Sequence, residues 1–184
     1  MLIGLTGKKR HGKDTAGRYL VEHYGFTQVG FADKVREMAL AIDPLVASEL
    51  RLSELVGAFD WEHAKSVPEV RRLLQRIGTE GVRDTLGEDA WVRAAFKDLD
   101  RNRDYVFTDV RFLNEAAAVK QAGGVVWRVS RPDLPDDGDT HASELELEQI
   151  QPDALVINGL GFPDTLHSEI AWAAQALDKT MHRC

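Results

Sequence analysis

In 7-GKKRHGKDT-15, Gly7 and Gly12 bracket a polar loop and Lys13 follows the second glycine directly. A short apolar run, 2-LIGLT-6, precedes the loop, and an amphipathic pattern opens at Gly12. A loop between a strand and a helix presents consecutive backbone N–H groups, and the positive end of the helix, to phosphate oxygens. The glycines let the backbone approach, and the lysine reaches the β- and γ-phosphates. The spacing predicts a triphosphate site formed by Gly7, Lys8, His11, Gly12, Lys13, Asp14 and Thr15. Asp14 stands where such loops carry Ser or Thr. A carboxylate there can take Mg²⁺ directly or through a water, or it can neutralise Lys8, Lys9 or Arg10 and leave the hydroxyl work to Thr15.

A second cluster, 108-TDVRFLNEA-116, places Asp109 at the end of an apolar strand, where a second metal-ordering carboxylate is needed. Arg111 opens the next helix and Glu115 lies one turn on, either as a reaction group or as a helix-surface partner of the arginine. Further arginines, Arg36, Arg71, Arg72, Arg83, Arg128 and Arg131, occupy loops or helix edges. Phosphoryl transfer needs some of them as counter-charges. His11 and His141 have no ligand partner at metal spacing.

The elements that must hold these groups read as five buried strands: 2-LIGLT-6, 27-TQVGF-31, 105-YVFTDV-110, 124-GVVWRV-129 and 154-ALVIN-158. Helical patterns alternate with them, through Ala16, Tyr19, Leu20 and His23 up to Gly25, and through Phe112, Ala116 and Val119 up to Gly123. The expected fold is α/β, a five-stranded, mostly parallel sheet flanked by helices in a single domain, 1–184, with its core at 1–31, 101–130 and 145–184. Residues 32–100 show helical periodicity and no convincing strand, which predicts a helical insertion. Within it, 66-SVPE-69 predicts a capping box with Ser66 as N-cap, and Val67, Val70, Leu73, Leu74 and Ile77 form a buried stripe. Another helix carries Trp91, Ala95 and Leu99. Residues 131–144 read as a polar lid loop. Leu166, Ile170, Ala173, Ala174 and Leu177 mark a last helix against the sheet.

Composition excludes other classes. The net charge of −7 argues against a general nucleic-acid binder, and no apolar run is long enough to cross a bilayer. The lone Cys184 rules out an internal disulfide and a cysteine zinc cluster. A soluble, cytoplasmic protein of small anionic ligands is the expectation.

GKKRHGKDTA, FADKVRE, VRRLLQRIGTEGVRDTLGEDAWV, TDVRFLNEA, RVSRP and THASE together resemble the bacteriophage-type deoxynucleoside monophosphate kinases, a branch of the P-loop NTPase fold, over most of the chain. GKDT is a usual form of that family's loop. The resemblance implies ATP as donor, Mg²⁺ on Asp14 and Asp109, and a deoxynucleoside 5′-monophosphate as acceptor, with phage-encoded members working in the host cytoplasm. It implies catalytic roles for Lys13, Asp14, Asp109, Arg111, Arg128 and Arg131, the last two on the lid side. Asp33, Lys34, Arg36, Gln75, Thr79, Arg83, Trp91, Arg111 and Glu115 become acceptor-side residues, and Asn158 and Gly159 lie near the donor base. A homodimer through the insertion helices is one assembly compatible with it. Rival readings are a dephospho-coenzyme A kinase, with Asp33 as base, a phosphomevalonate kinase, and a slowly hydrolysing nucleotide switch, for which the guanine signature N-K-x-D is missing.

Overall fold

A computed structural model describes residues 1–134, 142–159 and 163–181. They fall into two compact units, one formed by Met1–Gly30 with the chain from Leu99 onward, the other by Phe31–Asp98.

In the first unit, strands β1 (Leu2–Thr6), β2 (Thr27–Val29), β5 (Tyr105–Phe107), β6 (Val125–Ser130) and β7 (Ala154–Ile157) form one sheet in the order β2-β5-β1-β6-β7. Every pairing is parallel, with Leu2 opposite Tyr105 on one side of β1 and Ile3 opposite Val125 on the other. Helices must therefore cover both faces, which is why the central strands are nearly all apolar. Ile3, Leu5, Val106, Trp127, Val129 and Val156 are buried against α1 (Lys13–Tyr24) and α10 (Pro163–Met181), whose Ala16, Leu20, Leu166 and Ile170 complete that core. α8 (Leu113–Gln121) takes the other face through Val119. The expected five-stranded sheet flanked by helices is the observed one. α9 (Ala142–Gln149) begins inside the stretch expected as lid, while 135–141, including His141, the side chain of Leu177, and Cys184 lie outside the described residues.

The second unit contains α2 (Phe31–Ile42), α3 (Leu52–Ala58), α4 (Trp61–Ala64), α5 (Pro68–Arg76), a π-helical segment (Ile77–Arg83), α6 (Asp84–Leu86) and α7 (Ala90–Lys97). Its core gathers Ala39, Leu52, Leu55, Val70, Ile77 and Trp91, with Val67, Leu73 and Leu74 of the expected stripe packed beside them. Two expectations are corrected. A short antiparallel ribbon, β3 (Leu45–Ala47) with β4 (Leu50–Arg51), interrupts the helices, its turn made by Glu49 at φ 59°. And α5 is entered from Val67 with Pro68 as its first residue and no side-chain cap. The Ser66 hydroxyl instead donates to the His63 carbonyl (2.6 Å), closing α4.

π-Helical turns leave carbonyls poorly aligned along the ladder and are frequent at functional positions. Here the buried Trp91 donates its indole N–H to the Gly78 carbonyl (2.8 Å), which fixes the segment from α7. Trp91→Phe keeps the ring and deletes this donor. The expected loss is about 1–3 kcal/mol of unfolding free energy in urea titration. An unchanged midpoint would mean that the indole bond contributes nothing.

Candidate active site

The chain leaves β1 at Thr6 and enters α1 at Lys13 through a loop held open by backbone geometry. Gly7 has φ +141°, and a Cβ on it would collide with the Val129 carbonyl of β6. Gly12 has φ +101°, and its Cβ would stand 2.6 Å from Asn158 Nδ2. Only glycine gives both the conformation and the space. Arg10 also lies in the left-handed region, at φ 65°. α1 opens with no side-chain cap, and its first backbone bond runs from Ala16 N–H to the Gly12 carbonyl (2.9 Å). A first turn without a cap has N–H groups that an anion satisfies, aided by the helix dipole.

Lys13 folds back over this loop, donating Nζ–H to the carbonyls of Gly7 and Lys8, the latter at 2.9 Å. Lys8 pairs with Glu148 of α9 at 3.1 Å. The loop tip is tied twice. Asn158, buried at the end of β7, donates Nδ2–H to the His11 carbonyl (3.0 Å), and the Arg131 N–H donates to His11 Nδ1 (3.1 Å). Asn158 is itself fixed by its N–H to the Ser130 carbonyl (2.7 Å). Its amide thus braces the loop between β1 and α1, a role that its expected place near a donor base did not suggest. Gly159 follows it directly.

Asp14 and Thr15 are exposed in the first turn of α1, and Asp109 is half-buried beyond β5. Among the described residues no three His, Cys, Asp or Glu side chains gather into a metal cage. Mg²⁺ keeps most of its waters and takes phosphate oxygens, so one or two carboxylates of this kind fit it.

Other candidates have structural employment. Glu115 is buried, and its carboxylate accepts the backbone N–H groups of Arg111 (2.8 Å) and Phe112 (3.1 Å) on one oxygen, so it caps α8. The Leu113 N–H goes to Glu146 of α9 (3.3 Å). The Arg111 side chain is exposed at this corner. Arg128, expected on the lid side, also has a structural partner set. Its guanidinium donates to the carbonyls of Leu147 and Ile150, each 2.8 Å, where a cation suits the negative end of α9. Arg131 holds Asp133 through Nε (3.2 Å).

In the second unit, Asp33 and Arg36 of α2 pair at 2.9 Å, and the Arg36 guanidinium lies 5.9 Å from the Trp61 ring centre. Lys34 is shared between Glu37 (2.8 Å) and Asp98 (2.6 Å), and these bonds, Asp98 first, raise its pKa. Its charge is thus already matched within the protein. Trp91 is core. Gln75 and Thr79 are exposed and Arg83 half-buried, spaced four residues apart along α5 and the π-helical segment. A groove of about 520 Å³ between Pro44, Leu45, Leu73 and Ile77 is lined by Arg72 but by none of Lys34, Arg36, Gln75, Thr79, Arg83 and Trp91. Trp61, Asp98 and Glu148 escaped sequence reading. Only Trp61, an aromatic in a polar stretch, carried any local signal.

Residues 59–170 match the family described as deoxynucleotide monophosphate kinase. A protein of Acanthamoeba polyphaga mimivirus, provisionally named a deoxynucleotide monophosphate kinase, is 32% identical over 179 residues, covering 86% of this chain and 88% of that one. Among solved structures, shikimate kinase from Aquifex aeolicus superposes with a TM-score of 0.52 at 15% identity, over 97% of this chain and 98% of its own, a likeness of fold alone. A dephospho-CoA kinase from Campylobacter jejuni gives 0.48 at 17% identity, over 95% and 96% of the two chains.

The carbonyl clamp on Arg128 is separable from chemistry. Arg128→Met removes the donors and keeps the stem, with an expected loss of about 1–3 kcal/mol in stability and no change in nucleotide affinity by calorimetry. Weakened nucleotide binding in a fully stable variant would return Arg128 to the site.

Proposed function

Because the chain belongs to the deoxynucleotide monophosphate kinase family, we propose that it transfers the γ-phosphoryl group of ATP to a deoxynucleoside 5′-monophosphate, giving ADP and the deoxynucleoside diphosphate. The observation that carries this reading is the uncapped loop-to-helix junction, with Lys13 resting on the loop's own carbonyls. Bound triphosphate replaces those carbonyls with better acceptors, so the ammonium is delivered to the β- and γ-phosphates without a change of loop path. The exchange strengthens a charge-assisted contact where negative charge moves.

The acceptor needs no base. A phosphate monoester is already anionic near neutral pH, and its oxygen attacks phosphorus as the bond to the ADP oxygen breaks. Catalysis then reduces to positioning and charge compensation. Lys13 and Arg131 are the cations proposed for the donor, with Arg111 at the corner that Glu115 caps. Asp14 and Asp109 would hold Mg²⁺, which when bound screens the repulsion between phosphates. On the acceptor side Gln75, Thr79 and Arg83 are favoured over Lys34 and Trp91, since the exposed pair and the half-buried arginine follow one another at helical spacing. Arg36, with Asp33 and Trp61 about it, supplies a preset guanidinium.

Two substitutions test the assignment in an ADP-release assay with Mg-ATP and the deoxynucleoside monophosphates. Lys13→Ala is expected to lower kcat by about 10²–10³-fold while monophosphate binding persists. Loss of both would assign the lysine to folding or to the acceptor. Arg83→Ala is expected to raise the acceptor KM by about 10–100-fold, the worth of a charged hydrogen bond, at constant KM for ATP. An acceptor KM that does not move removes Arg83 from the site.

A further inference from the structure

His11 sits at the tip of the phosphate loop yet reaches away from it, into the sheet side. Two strands hold it by different atoms. Its carbonyl accepts from Asn158 at the end of β7, and its Nδ1 accepts from the Arg131 N–H just beyond β6. The loop's flanks are fixed by glycines packed on Val129 and Asn158, so His11 is where the tip itself is registered. We propose that His11 is a positioning residue for the donor: its neutral imidazole locks the tip of the phosphate loop to the segment opening at Arg131, and protonation releases it. The inference rests on the kinase reading and deepens it.

The chemistry of the lock is one-sided. An imidazole nitrogen accepts an N–H only when it carries no proton. Protonated, it would set a second N–H against that of Arg131. The surroundings favour the accepting form. Burial and then Lys13 hold the pKa below its ordinary 6.5, helped by Lys8 and Arg131, while the Val129 carbonyl acts in the opposite direction. Those cations are themselves matched, Lys8 by Glu148 and Arg131 by Asp133, and Asn158 on the β7 side is uncharged. With a depressed pKa, the lock is complete above about pH 6.5 and is lost as pH falls through the folded-state value.

Asparagine separates the two properties. Its Oδ1 stands where a histidine carries Nδ1, accepts a hydrogen bond, and does not titrate. The experiment measures Mg-ATP binding by calorimetry between pH 5 and 8 for wild type, His11→Ala and His11→Asn, with thermal melts alongside. ATP titrates equally in all three, so ratios between variants isolate the protein. His11→Ala is expected to bind about three- to tenfold more weakly than wild type above pH 6.5, the worth of one hydrogen bond. His11→Asn is expected to recover most of this and to lack the additional acid loss seen in wild type. Monophosphate binding should be alike in all three.

Equal ATP affinity of wild type and His11→Ala, or the same acid loss in wild type and His11→Asn, would overturn the lock while leaving the kinase reading intact. Should His11→Ala not fold, the wild-type and His11→Asn pH profiles decide alone. Wild type that binds no ATP at any pH would overturn the kinase reading and the lock together.

Discussion

The loop between β1 and α1 must hold its path with no side-chain cap on the N–H groups that open α1. That constraint organises the first unit. With those N–H groups uncapped, the loop is held from behind and by its carbonyls. Gly7 rests on the Val129 carbonyl, Gly12 on the Asn158 amide, and the His11 carbonyl takes the Asn158 N–H. β6 and β7 lie on one side of β1 and provide this support, while β5 on the other side ends near Asp109. The parallel sheet thus gathers brace and carboxylate at a single edge, as open α/β sheets do at the carboxyl ends of their strands.

Charge is handled by the same logic of matching from behind. The chain is acidic overall, yet Lys8, Lys9, Arg10 and Lys13 fall within a few residues of one another. Lys8 is answered by Glu148 and Lys13 by loop carbonyls, partners a polyanion can displace. Arg128 and Glu115 show the contrasting use. They reach helix ends, Arg128 through Nη2 to the carbonyls closing α9 and Glu115 through Oε2 to the N–H groups opening α8.

What was legible in the sequence was local. The loop, its preceding strand and the five-strand alternation are written in spacing of a few residues, and the sheet follows. The β3–β4 ribbon was not, because its strands are three and two residues long and its turn depends on a left-handed Glu49. The π-helical segment has the same apolar period as the α-helix it continues. Ser66 satisfied a capping pattern, yet the nearer His63 carbonyl took its hydroxyl. Arg128 and Asn158 were visible as polar residues in apolar strands, but their partners come from α9 and from the phosphate loop, far away in sequence. Pattern reading finds the group and misses the partner whenever the partner arrives through the fold.

The position of β1 also sets an order of assembly. It precedes both of its neighbours in the chain and sits in the middle of the sheet, paired on one side with a strand starting at Tyr105 and on the other with one starting at Val125. During synthesis, the contiguous Phe31–Asp98 unit emerges from the ribosome before either neighbour of β1 does. The brace from Asn158 comes later still. The loop after β1 is therefore translated well before it can acquire its shape, so a nascent chain carries the whole loop sequence before the strands that brace it are available.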